Sequence, residues 1–243
     1  MKLAIAGAAG RMGQALIEAA GADRELEIVV LHDIAKSGNA KITSDVGALS
    51  AAEVVIDFTR PAATLTHLGH AKAMVIGTTG FSDAEKKAIA DAAKRIPIVM
   101  AANFAVGVNA TYKLVETAAK ILGDAYDVEI IEAHHRHKVD APSGTALELG
   151  RVVERALGGK LDAAYGRSGE PGARPKSEIG FHSIRGGDIV GEHTVVFAGV
   201  GERVEVTVRS QSRATYAQGA LRAAKWLKGK SPKLYGMADV LGL

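Results

Sequence analysis

With 243 residues, 47% of them hydrophobic, and a net charge of only +3, the chain is long enough to bury one large core or two smaller ones, and too weakly basic to point to a nucleic-acid or membrane surface. It contains no cysteine, which excludes disulfides, thiolate metal sites and a cysteine nucleophile, so any redox chemistry needs a borrowed cofactor. No apolar run approaches the roughly 20 residues that span a bilayer, and Met1 leads directly into a strand-like KLAIAG without a signal-peptide layout, so a cytoplasmic protein is expected.

In chain order, residues 2–6 read as a short buried strand, and GAAGRMGQALIEAAG as a glycine-punctuated turn that opens an Ala-rich helix. The strands LEIVVLHD, EVVIDFT, AMVIGTT and IPIVMAAN follow, with helical stretches at 61–72 and 82–95. Apolar strands alternating with helices predict a parallel, doubly wound α/β sheet. The pattern then changes: AVGVNATYKLVETAAKILG reads as helix, DVEIIEAHH as strand, and a further helix begins at about Ser143 to Thr145. Three long strands come next, EIGFHSIR, DIVGEHTVVFAG and ERVEVTVRS, joined at Gly186-Gly187 and at GVG (199–201), which predicts an antiparallel meander. The chain returns to helix with YAQGALRAAKWLKG. The change of strand pattern places a boundary near Phe104 to Gly107.

The first chemical signal is Gly7-Ala8-Ala9-Gly10-Arg11-Met12-Gly13. A glycine turn between a buried strand and a helix brings backbone N–H groups up to a pyrophosphate, where the helix dipole adds positive potential. The spacing G-x-x-G-x-x-G is weak by itself. Asp33, at the end of the second strand, strengthens it, because an acid there accepts hydrogen bonds from an adenosine ribose. Close helix packing and a solvated strand end are the competing explanations of the same residues. Asp57-Phe58-Thr59-Arg60-Pro61, Gly77-Thr78-Thr79-Gly80 and Ala101-Ala102-Asn103-Phe104 also lie at strand ends, where a doubly wound sheet opens its ligand crevice. Together they suit one nicotinamide site; singly, each suits an ordinary turn.

The second signal is EAHHRHKVDAPSGTAL (132–147), with three histidines, an arginine and a lysine in five consecutive positions. Alternation along the strand and the absence of an H-E-x-x-H pair make a metal site a poor reading. Ser143, Gly144 and Thr145 bring hydroxyls and free N–H groups to a positive helix end, which suits a carboxylate. They equally suit a plain N-cap, with Thr145 and Glu148 forming a capping box. A histidine titrating near neutrality and a lysine lowered by cationic neighbours suit protonation of a carbanion and of an alcohol leaving group, respectively. A solvated His-rich loop is the alternative; Lys138 and the SGT turn favour catalysis.

These strings, together with AIAGAAGRMG, VIDFTRP, VIGTTGF, AANFAVGVN and GFHSIRGGDIVGEHTVVF, resemble the 4-hydroxy-tetrahydrodipicolinate (dihydrodipicolinate) reductases of lysine and diaminopimelate synthesis, from the first strand to the C-terminal tail. The resemblance implies a Rossmann-type dinucleotide-binding domain (1–105, completed by 215–243). It also implies a mixed α/β domain for substrate binding and oligomerisation (106–214), with an open, largely antiparallel sheet that assembles a homotetramer. NADH or NADPH is the implied cofactor, with no metal, and a small dicarboxylate is the implied substrate. His134 becomes the acid or base and Lys138 the proton donor, while His135, Gly144 and Thr145 hold the substrate carboxylate with Ser143 beside them. The cofactor positions fall on Gly7, Ala8, Ala9, Gly10, Arg11 and Met12, on Asp33, on Gly77, Thr78 and Thr79, and on Ala101, Ala102, Asn103 and Phe104. The implied reaction is a reductive dehydration: water is lost, hydride reaches C4, and the enamine is protonated at C3. Where NADPH-using relatives carry a basic residue after the ribose acid, this chain has Ile34, with Lys36 as the nearest substitute.

Overall fold

The computed structural model describes residues 1–34 and 41–243. The chain opens with β1 (Lys2–Ala6), α1 (Arg11–Gly21), β2 (Glu27–His32), β3 (Ile42–Thr43), β4 (Val54–Asp57), α2 (Pro61–Leu68), β5 (Met74–Ile76), α3 (Asp83–Ala92) and β6 (Ile98–Met100). It continues through α4 (Val106–Leu122), β7 (Asp127–His134), α5 (Gly144–Leu157), β8 (Asp162–Tyr165), β9 (Glu178–Arg185), β10 (Gly191–Ala198) and β11 (Arg203–Ser210). It closes with α6 (Ala214–Leu227), β12 (Leu234–Tyr235) and α7 (Met237–Leu241). Two compact units result, Met1–Val106 with Arg213–Leu243, and Gly107–Ser212.

The first unit holds the expected parallel sheet, in the order β12-β6-β5-β4-β1-β2-β3. Its central strands β1, β4, β5 and β6 are apolar over most of their length because both faces are covered. Leu3, Ile5, Val54, Ile56, Val75 and Val99 pack on Leu16 of α1 and on the alanines of α6. The alternate residues Ala4, Ala6, Val55, Met74 and Ile76 pack on Leu49 and on Ile89 of α3. Ser82 starts α3 through a reciprocal capping box with Glu85. Chain order reverses between β1 and β4, so the crevice at a topological switch point lies at the carboxyl ends of those strands. At Gly219 a Cβ would stand 1.8 Å from the Phe104 carbonyl oxygen, so only glycine lets α6 pass over the turn after β6.

The second unit is a five-stranded mixed sheet, β11-β10-β7-β9-β8. The expected meander forms only in its second half, where the turn at 199–201 joins β10 and β11 as an antiparallel hairpin; β9 and β10 are not neighbours. β10 pairs antiparallel with both β7 and β11, but β7–β9 and β8–β9 are parallel. The connection through α5 returns the chain beside β7 in the same direction, which makes that pairing parallel. Gly186-Gly187 does not close a hairpin; it arches over the end of β7, with Gly186 N–H donating to the His134 carbonyl (3.0 Å) and Arg136 N–H to the Gly187 carbonyl (3.2 Å). One face is packed by α4 and α5 through Val115, Val128, Ile130, Leu149, Val153 and Phe197. The residues of opposite parity, Glu129, Ile131 and Ile184, lie on the other face, where Ile131 and Ile184 are exposed.

Candidate cofactor and catalytic sites

In the first unit the glycine turn is built for close approach. Gly7 has φ +82°, and a Cβ there would lie 2.6 Å from the Phe58 carbonyl oxygen; at Gly13 it would lie 2.2 Å from the Gly7 carbonyl oxygen. The His32 carbonyl accepts from the N–H groups of Gly7 (3.0 Å) and Ala8 (3.1 Å), and Gly10 N–H donates back to the Gly7 carbonyl. Gly10 caps α1 without a side-chain hydrogen bond. The first-turn N–H groups at Arg11 and Met12 thus receive no acceptor from the cap side chain, at the positive end of an 11-residue helix. Ala9 N–H donates to Asp33 Oδ2 at 2.9 Å, tying the acid at the end of β2 to the glycine turn. A cradle closed to any side chain, a helix start without a side-chain cap and an adjacent acid fit a dinucleotide pyrophosphate and ribose.

The other predicted cofactor residues divide by burial. Gly77 leaves no room for a side chain, since a Cβ would meet the Phe58 ring at 2.1 Å, while Thr79 is exposed. Thr78 is buried, with its hydroxyl committed to Asp57 Oδ1 at 2.7 Å. Ala8 and Phe104 are core side chains, Phe104 sitting edge-on to Phe58, so only their backbones are available to a ligand. Asn103 Oδ1 accepts from Ala105 N–H and stiffens the turn that also contains Ala101 and Ala102.

The second unit carries a different cluster. β7 ends at His134, and alternation puts His134 on the same face as Glu132. Glu132 pairs in register with His193 and Ser183, and His134 with Arg185, so three strands deliver their side chains to one place. Glu132, 1% exposed, accepts from both Nη atoms of Arg185 (2.8 and 2.7 Å), from His134 Nδ1 (2.6 Å) and from Ser143 N–H (3.1 Å). Burial by itself would raise the Glu132 carboxyl, but the hydrogen bonds from Arg185, Ser183 and His134 hold it at about 2. An ionised acceptor on Nδ1 fixes the His134 tautomer and makes Nε2 the exchanging nitrogen.

Ser143 caps α5, its hydroxyl accepting from Ala146 N–H (3.2 Å) and bonded to His193 Nε2 (2.9 Å). It is buried and fully engaged, so it positions the helix start; Gly144, with open space where a Cβ would stand, and Thr145 form the accessible first turn. His135 lies just past the strand end, its Nδ1 buried without a hydrogen-bond partner. Two details of the sequence reading change. Burial holds His134 below the usual histidine range despite Glu132. Lys138, expected among cations, instead meets Asp140 through both carboxylate oxygens (2.7 and 2.9 Å). Glu132, Arg185 and His193 escaped the sequence reading: period-two spacing pairs 132 with 134, but only strand register brings 185 and 193 to them. Among the described residues, no cluster of His, Asp and Glu is arranged to hold a metal ion.

Burial, with His134 beside it, holds His193 at about 4, against 6.5 for a free histidine. The unfolded chain binds that proton more tightly, so the folded unit has the full contribution above pH 6.5 and loses it as pH falls toward 4. In urea denaturation, wild type is expected to lose about 2 kcal/mol more than His193→Gln between pH 7 and 5. Glutamine keeps a partner for Ser143 Oγ without titrating. Identical pH dependence in the two proteins would remove His193 as the source.

Residues 1–104 match the profile of the dihydrodipicolinate reductase N-terminus, and residues 107–241 that of its C-terminus. A 4-hydroxy-tetrahydrodipicolinate reductase of Aromatoleum aromaticum is 58% identical, with 100% of this chain and 96% of that protein aligned. The enzyme of the same name from Cupriavidus metallidurans is 54% identical over the whole of both chains. Among solved structures, a dipicolinate-bound dihydrodipicolinate reductase from Paenisporosarcina sp. TG-14 superposes with a TM-score of 0.81 at 24% identity, covering 98% of each chain, a likeness of fold.

Proposed function

The chain belongs to the dihydrodipicolinate reductase family, and on that premise we propose that His134 and Lys138 move the protons of its reaction. The protein reduces 4-hydroxy-tetrahydrodipicolinate to tetrahydrodipicolinate, the lysine and diaminopimelate step, using NADH or NADPH. Bound NADH or NADPH supplies the hydride. The observation that carries the proton assignment is the tautomer lock: Glu132, ionised and held by Arg185, takes the Nδ1 proton of His134 in a hydrogen bond and leaves Nε2 as a base.

In this reading Gly144 and Thr145, at the start of α5, receive a substrate carboxylate, with His135 as a second donor and Ser143 holding the turn. Neutral His134 takes the C3 proton as Lys138 protonates the departing hydroxyl, and the imidazolium returns its proton to C3 once C4 is reduced. The lowered basicity of His134 supports this order, because the imidazole enters the cycle unprotonated. The glycine turn with Asp33 binds pyrophosphate and ribose, and the turns at 77–79 and 101–104 face the nicotinamide. Residues 1–105 with 215–243 serve as the dinucleotide-binding domain, and 106–214 as the substrate-binding and oligomerisation domain. The open sheet face bearing Ile131 and Ile184 supports a homotetramer. No helix among the described residues is long and apolar enough to cross a membrane, in keeping with the cytoplasmic enzyme we propose.

The test is absorbance loss of each reduced cofactor on freshly prepared 4-hydroxy-tetrahydrodipicolinate. Ile34, 83% exposed directly after Asp33, has no charge for a 2′-phosphate, and Asp33 would repel it; Lys36 lies outside the described residues. NADH is expected to give a kcat/KM at least equal to that with NADPH, and Ile34→Arg to shift the ratio toward NADPH. A strong wild-type preference for NADPH, unchanged by Ile34→Arg, would overturn the assignment.

A further inference from the structure

Beneath the first unit's crevice lies a polar cluster to which the reaction gives no part. Asp57, at the end of β4, is 0% exposed. Its Oδ1 accepts from the hydroxyls of Thr59 (2.7 Å), Thr78 (2.7 Å) and Thr64 (3.1 Å) and from Thr59 N–H (3.0 Å), and its Oδ2 is 2.5 Å from Nδ1 of His67 on α2. Thr59 N–H also donates to Thr78 Oγ1 (2.8 Å), and Gly77 N–H to the Asp57 carbonyl (2.8 Å). One carboxylate thus joins the turn after β4, the turn after β5 and α2. His67, itself buried, stands edge-on to His32 at 4.9 Å, and the His32 carbonyl holds the glycine turn. The turns also interlock sterically, since side chains at Gly7 and Gly77 would strike Phe58.

We propose that Asp57 and His67 are positioning residues for the dinucleotide: the pair sets the turns at 58–60 and 77–79 in the geometry that receives the cofactor. This rests on the reading that those turns touch the cofactor. A buried carboxylate must keep its hydrogen-bond donors or bear the full cost of desolvation, so each donor's place is enforced by the others. Apolar residues would fill the same space more simply, whereas hydrogen bonds of fixed direction hold two glycine-bearing turns in one orientation. His67 supplies the donor for the second oxygen; without it the carboxylate is free to rotate and release Thr59 and Thr78.

The experiment compares wild type with His67→Leu, His67→Asn, Thr64→Val and Thr79→Trp. It uses calorimetric titration of NADH, steady-state KM for substrate and hydrogen exchange at the Thr59 amide. Loss of a donor to a charged acceptor is expected to raise the NADH Kd about 10-fold in His67→Leu and Thr64→Val. The substrate KM should stay within about 2-fold of wild type, and the Thr59 amide should exchange faster. Asparagine, whose amide nitrogen occupies the Nδ1 position, should restore tight binding. Should His67→Leu fail to fold, Thr64→Val, which keeps the side-chain shape, carries the test. NADH affinity unchanged in Thr64→Val and His67→Leu while Thr79→Trp weakens it would overturn the positioning role and leave the loop reading standing. Parallel losses for NADH and substrate would reduce the cluster to general stability and equally overturn it. If Thr79→Trp also leaves NADH binding intact, the loop reading falls and the proposal with it.

Discussion

His134→Gln and Lys138→Ala are each expected to lower kcat by about 10²-fold or more, the scale of losing a positioned acid or base, with NADH affinity unchanged. His134 ends β7 with Nδ1 committed to Glu132, so glutamine removes the exchanging nitrogen while leaving the strand and its pairing in place. Lys138 reaches Asp140 across a short turn, and its side chain is half-buried on that loop, so alanine removes the proposed proton source together with this one ion pair. The pH profile separates the two. Burial holds His134 below the usual histidine range, so its base form persists as pH falls through about 6.5, and kcat declines only at lower pH. That acid limb should remain in Lys138→Ala and disappear from His134→Gln. Steady-state kinetics between pH 5 and 8 make the comparison; near-normal turnover in both variants would end the proposed roles.

Glu132→Gln should cost a comparable amount in turnover, about 10²-fold, although the residue is not expected to touch substrate. An amide in place of the carboxylate presents an N–H as readily as a carbonyl, so the His134 tautomer is no longer dictated. Glu132→Ala goes further, leaving the Arg185 guanidinium and the Ser143 N–H without their shared acceptor in a buried site. Breaking a buried ion pair from one side costs about 3–5 kcal/mol. Wild type should lose the same stabilisation with acid: the Glu132 carboxyl titrates at about 2 when folded against 4.5 when free, so its contribution is complete above pH 4.5 and disappears as pH falls toward 2. Denaturant midpoints for the second unit and kcat at neutral pH are the measurements. A Glu132→Gln enzyme with wild-type turnover and pH profile would show that the carboxylate serves stability alone.

Local pattern made much of the first unit legible. The alternation of apolar strands with helices, the glycines at 7, 10 and 13 and the acid at Asp33 are short-range features, and parallel strands buried on both faces announce themselves as continuous apolar runs. Less was legible where meaning depends on which strand neighbours which. EIGFHSIR and DIVGEHTVVFAG flank a glycine turn and look like a hairpin, yet β7 lies between them, because the connection through α5 brings β9 back parallel to β7. The same insertion sets Arg185 and His193 on either side of Glu132, a juxtaposition of residues 53 and 61 positions away that no local spacing encodes.

By itself the sequence determined the groups proposed to react: a histidine at a strand end, a lysine four residues on, and a small-residue helix start that suits a carboxylate. It also determined the doubly wound sheet, since its period and apolarity are properties of contiguous residues. Tertiary structure alone decided how those groups are tuned. Burial lowers His134, Arg185 holds Glu132 ionised, Asp140 rather than a cation meets Lys138, and Asp57 gathers three threonines and a histidine beneath the crevice. Desolvation and hydrogen-bond direction depend on what surrounds a group in space, and the chain supplies those surroundings only once distant strands have paired.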